Sequence, residues 1–524
     1  MTPPNERWQA IEHGLRMLSW DTDRTLQKYG LQVSKARTVV QGRLLTAPKV
    51  QYGTGVATPG TSGRWDLKGK KFLLPNSAPL KSWSVTVMSG KRGGKPDKST
   101  IENFIKEFVK IYKSHGGKVE NANPALNLGL GDDTGKIVTD AWNMAGNQSN
   151  SRPQILVFIL PDKDSVIYGR IKRSAECRYG VVSCRRTRSM MNFHKADFLQ
   201  VSQCMQYSHV QKCQAQYISN VLMKFNSKLG GTTCRAIGPK SGGPTGLFTQ
   251  PTLIIGADVS HAAPGQQQAS MAAMTASMDA LGARYAAVCE SNGYRVEMIE
   301  TENINSMLKP LIQHWVQSVG NGRFPSRILY FRDGVSEQQY THVLQQEVAD
   351  MKALLRTAHP NLNIPFVVVI GGKRHHVRFF PEKGDRNGNA LPGTLVESGA
   401  TNPHENDFYL CSHAAIKGTA RPMHYQVILN EVGMSNEELQ TILYEQVYQF
   451  ARATTPVSMH PAIYYAHIAS GKASPHSPSW QGSTDGRGTQ GGGSSGPGSS
   501  QPVDVEKLMP MPNQGGICTS MWYI

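Results

Sequence analysis

No window of this 524-residue chain approaches the roughly 18 consecutive apolar residues that a membrane-spanning helix requires. The opening stretch MTPPNERWQAIEHG lacks the apolar region of a secretory signal, so a cytoplasmic, intracellular location without membrane attachment is expected. CxxC pairs and zinc spacings are missing too. The eight cysteines are scattered through a chain too large to need disulfide staples, and they read as reduced, mostly buried thiols with no catalytic role. No GxGxxG opens a helix after a strand, which argues against a nucleotide-cofactor enzyme. No internal repeat is visible. Acidic residues are in short supply, 38 Asp and Glu against 56 Lys and Arg, and the formal charge of +18 favours a polyanionic partner. The excess is uneven: residues 161 to 240 hold 14 Lys and Arg against 4 Asp and Glu, a local patch suited to a phosphate-rich ligand.

The length predicts two or three domains. To about residue 75, a short amphipathic segment (WQAIEHGLRMLSW) precedes a Gly- and Pro-punctuated run (YGTGVATPGTSGRW) that suits a linker laid over a domain surface. From Trp83 the pattern becomes strand (SWSVTVMS), helix (STIENFIKEFVKIYKSHGG), strand (PQILVFILP) and helix (QYISNVLMKFNSKLGG), an α/β alternation. A second α/β series follows GPKSGGPTGLF. Its early strands, PTLIIGADVSHA, ASMAAMTASMDA and ARYAAVCES, are expected to pair antiparallel. A helix around INSMLKPLIQHWVQSV, the strand RILYFRDG, a helix over about 337–356 and the strand PFVVVIGG come next. The Gly/Ser-rich stretch at about 473–503 reads as a disordered loop.

Two apolar strands end in carboxylates, Asp258 in TLIIGADVSH and Asp333 in YFRDG, and ligands gather at the carboxyl ends of strands in α/β sheets. Asp-Gly is also ordinary turn chemistry. A third carboxylate is available from Glu297, Glu300 or Glu302 in YRVEMIETEN, and PAIYYAHIAS presents His467 after a further apolar run. Converging carboxylates of this kind hold two Mg²⁺ ions about 4 Å apart for phosphodiester hydrolysis, an RNase H-type site. Elsewhere, Lys224 and Lys228 share one face of a helix. VIYGRIK adds Tyr168 and Lys172, and VSQC adds Gln203, where a helix is expected to start with Ser202 as its N-cap. Ammonium groups, a helix N-terminus and an aromatic ring together suit a terminal phosphate and the first base of a nucleic acid.

GADVSH, FRDGVSE, DFYLCSHAAIKGTARPMHY and YYAH, in that order, closely resemble the PIWI domain of eukaryotic Argonaute proteins. The basic region upstream resembles the family's MID domain, and RWDLKGKKF its second linker. The resemblance runs from about Leu18 to the C-terminus, apart from the Gly/Ser-rich loop. It implies an α/β architecture in which a Rossmann-like MID domain precedes an RNase H-like PIWI domain, with the second linker and a preceding segment at 1–75, MID at 76–240 and PIWI at 241–524. The function it implies is that of a silencing protein which binds a small guide RNA by its 5′ phosphate and cleaves complementary target RNA with two Mg²⁺ ions, Mn²⁺ being able to substitute. By motif position Asp258, Asp333 and His467 fall on the metal-ligating members of the catalytic tetrad, and Glu297 matches the mobile glutamate, with Glu300 as the alternative. Tyr168, Lys172, Gln203, Lys224 and Lys228 match the family's grip on the guide 5′ phosphate, with Tyr168 beneath the first base and PDKDS sensing that base. Where animal relatives carry an Arg shortly after YYAH, this chain offers only Lys472, a point charge in place of a bidentate fork. His413 and Arg421 match contacts to guide phosphates. His375 and His376 in KRHHVRFF would alternate across a basic strand beside the guide backbone, so a shared metal is not expected. Nothing resembles the N-terminal and PAZ domains, so the chain is expected to be a C-terminal lobe. Partners in a silencing complex are implied but not identifiable. A guide-binding module that does not cut and an unguided RNase H-like nuclease are the competing readings.

Overall fold

The computed structural model describes residues 2–89, 97–177, 201–242, 246–263, 266, 268–478, 480, 506–509 and 519–524. The N-terminal segment holds α1 (Pro4–Leu18), α2 (Arg24–Lys28) and three short strands, β1 (Arg43–Leu44), β2 (Lys49–Gln51) and β3 (Val56–Ala57). It is threaded over both later units: β1 joins the edge of the largest sheet, and β2 pairs with β3 and with a strand over residues 235–237.

The first α/β unit contains β4 (Trp83–Met88), β5 (Ala125–Gly129), β6 (Ile155–Leu160) and β7 (Ser202–Gln206), all parallel in the order β5-β4-β6-β7. β4 and β6 are buried along their whole length, which is why β6 is an unbroken apolar run. Helices α3 (Lys98–Ser114), α4 (Thr134–Ser149), α5 (Ser165–Glu176), α6 (Tyr207–Lys212) and α7 (Ala215–Lys228) accompany them. Ser202 and Gln203, expected at a helix start, instead lie in β7, paired with Leu156 and Val157 of β6. Ladder bonds to a buried central strand outweigh a local capping signal, and the helix begins only at Tyr207.

A short β8 (Arg235–Ile237) returns to β2, and the second unit follows. Its strands are β9 (Thr252–Ser260), β10 (Met271–Ser277), β11 (Tyr285–Ser291), β12 (Arg327–Asp333), β13 (Phe366–Gly372), β14 (Thr394–Val396), β15 (Asp407–Cys411) and β16 (Met423–Asn430). With β1 they form a sheet in the order β1-β14-β15-β16-β13-β12-β9-β10-β11. β9, β12 and β13 are mutually parallel at its centre, and β9-β10-β11 pair antiparallel as expected. On one face lie α8 (Thr301–Ser318) and a helical run from Glu337 that contains α9 (Tyr340–His342), a π turn (Val343–Val348) and α10 (Ala349–Ala358). On the other lie α11 (Asn436–Gln446) and α12 (Pro461–Ala473).

Strand alternation assigns the polar side chains to faces. In β9, Leu253, Ile255, Ala257 and Val259 pack toward α8 and α10, whereas Ile254 packs toward α12, so Asp258 points to the α12 side. In β12, Ile328 and Tyr330 face the first side and Leu329 and Phe331 the second, so Asp333 joins Asp258 and Arg332 points away.

Two further expectations are corrected. KRHHVRFF is not a strand: the β12 and β16 ladders on either side of β13 end at Gly371 and Gly372, and among the described residues no strand pairs with it. His375 is half-buried against the Pro422 carbonyl and His376 is exposed. The disordered loop expected from residue 473 is corrected at its start, where Ala473 closes α12 and Ser474–His476 form a 3₁₀ turn, with Ala473 and His476 buried. Residues 481–505 of that stretch lie outside the described residues. Six cysteines are free thiols, while Cys184 and Cys518 also lie outside them. Among the described residues no helix is long and apolar enough to cross a membrane.

Candidate active site and nucleic-acid interface

Arg332 of β12 sits opposite Ala257 of β9, so the next residues along, Asp333 and Asp258, are neighbours on backbones about 5 Å apart. Asp258 is buried, and its Oδ2 accepts a hydrogen bond from Ser470 Oγ (2.8 Å) and stands 3.2 Å from His467 Nδ1, both on α12. Asp333 Oδ1 accepts from the Gly334 amide at 2.8 Å. Burial, then the charge of Asp258, pushes Asp333 up to about 6. Burial works the same way on Asp258, but the hydrogen bond and charge of His467, the hydrogen bond from Ser470 and the charge of Arg332 together outweigh it and hold that carboxyl below its ordinary value. The same bond raises His467. Adjacent carboxylates, one of them reluctant to ionise, mark a place short of positive charge.

Glu297 is delivered by the connection between β11 and α8. Gly334 has φ +91°, and a Cβ there would collide with the Glu297 carboxylate, so Glu297 rests directly on the Asp333-Gly334 turn. Its Oε2 lies 2.8 Å from His261 Nε2, and the other nitrogen of that ring lies 2.8 Å from Ser270 Oγ. Its Oε1 accepts from Arg332 Nη1 at 3.3 Å, and Arg332 also holds the Glu297 carbonyl. Arg332 is itself fully buried against Glu347 of the π turn, which takes Tyr330 Oη at 2.7 Å as well. Glu300 instead occupies the cap position of α8, and Glu302 is an exposed partner of Lys507. Gly334→Ala is expected to displace Glu297 and strain the turn, reducing any cleavage at least about tenfold with RNA binding intact. Parallel cleavage and binding assays check this.

Among the described residues no three of these donors converge on one point as they stand: His467 Nδ1 is turned to Asp258, and Glu297 is held by His261 and Arg332. The chemistry of the set nonetheless fits a hard divalent cation, since two neighbouring carboxylates with an imidazole beside them would gain by sharing one, the imidazole giving up any proton as it ligates. Cleavage is therefore expected to fall as pH drops through about 6, where Asp333 takes up its proton; His467, raised by its bond to Asp258, gains its charge before that point. A rate at fixed Mg²⁺ that stays flat between about pH 8 and pH 5 would remove Asp333 from the ligand set.

The second cluster surrounds Tyr168. Lys172 Nζ donates to Glu176 Oε1 and to the Ser202 carbonyl, both at 3.0 Å; Lys228 Nζ donates to the same carbonyl at 2.8 Å and to Gln203 Oε1 at 3.1 Å. The ammonium groups of Lys172 and Lys472 each lie 5.8 Å from the Tyr168 ring centre. Lys472 closes the last turn of α12, and the structure brings it to the cluster. Burial, then Arg452 and Lys172, pushes Lys224 down to about 8. Burial and the neighbouring cations lower Lys228 and Lys472 strongly, whereas Glu176, helped by Tyr168 and Cys204, overcomes burial to raise Lys172. Among the described residues cations thus outnumber the one buried carboxylate, and no helix N-terminus contributes. His413 and Arg421 lie elsewhere, around Lys373: Arg421 donates to the Lys373 carbonyl at 3.1 Å, and burial, then Lys373, takes His413 down to about 4. Lys373 in turn feels the charge of Asp333.

A family model for the Piwi domain matches residues 186–476, one for the Mid domain of argonaute matches 59–141, and one for the Argonaute linker 2 domain matches 6–52. The chain belongs to the Argonaute family. Its relatives include the protein argonaute of Schizosaccharomyces pombe, 36% identical over 90% of this chain and 53% of that protein, and protein argonaute 4 of Arabidopsis thaliana, 31% identical over 89% and 48%. The chain spans about half the length of the curated relatives it matches. Similar solved structures are Kluyveromyces polysporus Argonaute with a guide RNA (TM-score 0.78, 23% identity, 100% of this chain and 60% of that one) and the C-terminal lobe of a budding yeast Argonaute (0.74, 24%, 93% and 95%). The two α/β units are accordingly a MID domain and an RNase H-like PIWI domain.

Sequence reasoning missed His261, Arg332, Glu347 and Ser470 at the carboxylates and Glu176 and His476 at the lysines. For His261 and Arg332 a signal existed, as both lie in the same strand-end motifs as the aspartates, GADVSH and FRDG.

Proposed function

We propose that this chain holds the 5′-phosphorylated end of a small guide RNA around Tyr168 and cleaves complementary target RNA at Asp258 and Asp333. One observation carries the reading: α12 offers Lys472 to the lysine cluster and, little more than a turn earlier, His467 to the carboxylates. Among the described residues Lys172 and Lys228 each keep one of three ammonium donors unspent, and Lys224 and Lys472 keep all of theirs. A phosphate dianion answers that surplus, and the Tyr168 ring beside two ammonium groups gives the first base a stacking surface. Gln203 is in place to fix Lys228, and His413 and Arg421 beside Lys373 suit guide-backbone phosphates.

At the carboxylates Asp258, Asp333 and His467 would hold two Mg²⁺ ions, with Mn²⁺ able to substitute. Bound there, the ions would supply charge neutralisation at the phosphodiester and a water nucleophile at neutral pH. Ser470 keeps Asp258 aimed, while His261 and Arg332 keep Glu297 beside the Asp333 turn. A cytoplasmic location goes with this reading.

Direct binding of one short RNA bearing a 5′ phosphate or a 5′ hydroxyl, at fixed near-physiological salt, tests it. A clear phosphate preference is expected; equal affinities would leave general backbone contacts and favour the unguided nuclease. The unconverged donors at Asp258 favour a second reading, a guide-binding module without cleavage, and Mg²⁺-dependent cutting opposite a defined guide position decides against it.

A further inference from the structure

The residues after α12, Ser474–Pro478 and Trp480, lie along α5. Three positions of that helix receive them, Gly169, Arg173 and Glu176, whose spacing makes one stripe beside the one that carries Tyr168 and Lys172. Glycine is unfavourable inside a helix, and at Gly169 its reason is room: a Cβ would stand 2.6 Å from the Trp480 ring and 3.4 Å from Pro475. Arg173 donates to the carbonyls of Ser477 (2.6 Å) and Pro478 (3.1 Å), with those of Pro475 and Trp480 at 3.4 Å. Glu176 Oε2 lies 3.1 Å from His476 Nε2, and Glu176 Oε1 takes the Lys172 ammonium at 3.0 Å. Glu176, His476 and Lys172 are all buried, and Trp522 backs the histidine ring at 5.3 Å between centres.

An ammonium has three donors in fixed tetrahedral directions. Lys172 spends one on Glu176 and one on the Ser202 carbonyl, so those two acceptors set the direction of the third. Glu176 in turn has its own direction set by a histidine that comes from the PIWI domain.

We propose that Glu176 and His476 are positioning residues for guide-end binding: His476 pins Glu176, Glu176 aims Lys172, and the pocket takes its phosphate-binding form only when Ser474–Pro478 and Trp480 are seated on α5. This rests on the reading of the lysine cluster as a 5′-phosphate site. A purely structural ion pair would affect every RNA alike, whereas aiming one donor affects the phosphate.

The test uses the full chain and measures Kd for the same RNA with a 5′ phosphate or a 5′ hydroxyl, alongside thermal unfolding. Glu176→Gln and His476→Ala are expected to lower the phosphate preference about tenfold while hydroxyl-RNA binding moves less than about twofold. His476→Gln, which keeps a donor for Glu176, restores most of the preference. Trp480→Ala, which leaves every pocket charge in place, lowers it in the same direction and covers the case in which Glu176→Gln fails to fold. A wild-type chain without phosphate preference would end the reading of the pocket itself. A wild-type preference that His476→Ala and Trp480→Ala leave intact overturns the positioning role, as does an equal loss for both RNAs that follows the drop in Tm.

Discussion

Asp258→Ala or Asp333→Ala should reduce guide-directed cleavage at least about a thousandfold and leave the affinity for 5′-phosphorylated RNA within about twofold. The two carboxylates are neighbours across β9 and β12, whereas the lysine cluster lies on α5, α7 and the last turn of α12. The variants should also separate in a metal-binding readout that does not depend on cutting. The folded protein holds the Asp333 proton more tightly than an unfolded chain does, so ionising it costs stability as pH rises from about 4 to about 6. Above that range wild-type Tm should rise on adding Mg²⁺, and metal-free Asp333→Ala should be at least as stable as metal-free wild type but indifferent to the ion. Asp258→Ala loses the partner of Ser470 and His467 and should be less stable under the same conditions. Full cutting by either purified variant would sink the assignment.

The second large effect is expected from Lys224→Ala combined with Lys472→Ala. Neither lysine makes a hydrogen bond among the described residues, and burial together with neighbouring cations disfavours the charged form of each. The sign follows: a lysine whose folded value is lowered opposes folding at neutral pH, so removing both should raise Tm slightly. The same change removes two of the cations around Tyr168 and should weaken binding of 5′-phosphorylated RNA about a hundredfold, with far less loss for 5′-hydroxyl RNA. Tighter folding with poorer phosphate binding would identify charge held in store for a ligand. Equal loss for both RNAs would reduce these lysines to general contacts. Lys172→Ala is the less clean variant, because it strands Glu176 in the interior.

The main elements were legible because their signals are local. Buried central strands are continuous apolar runs, and a carboxylate at the end of such a run, as at Asp258 and Asp333, stands out against them. Alternation along each strand then sets the shared face. What stayed hidden was built by distant partners: His261 and Glu297 are 36 residues apart, and Glu176 and His476 are 300 apart. Composition misled at residue 473, because Gly/Ser-rich flanks conceal a turn that is ordered by contact with α5. Lys472, named in sequence only as a point charge in place of a bidentate fork, is carried beside Tyr168 by a helix end. At Ser202 a local capping signal met a buried parallel strand and lost.

α12 also limits how this lobe can change. Each residue of an α-helix turns the next by about 100°. A single insertion or deletion between His467 and Lys472 would rotate one of them out of its cluster, whichever end the packing retained. Length variation therefore has no neutral outcome inside that turn. A lineage that abandons catalysis while keeping its guide, or the reverse, has to do so by exchanging side chains on a helix of constant register.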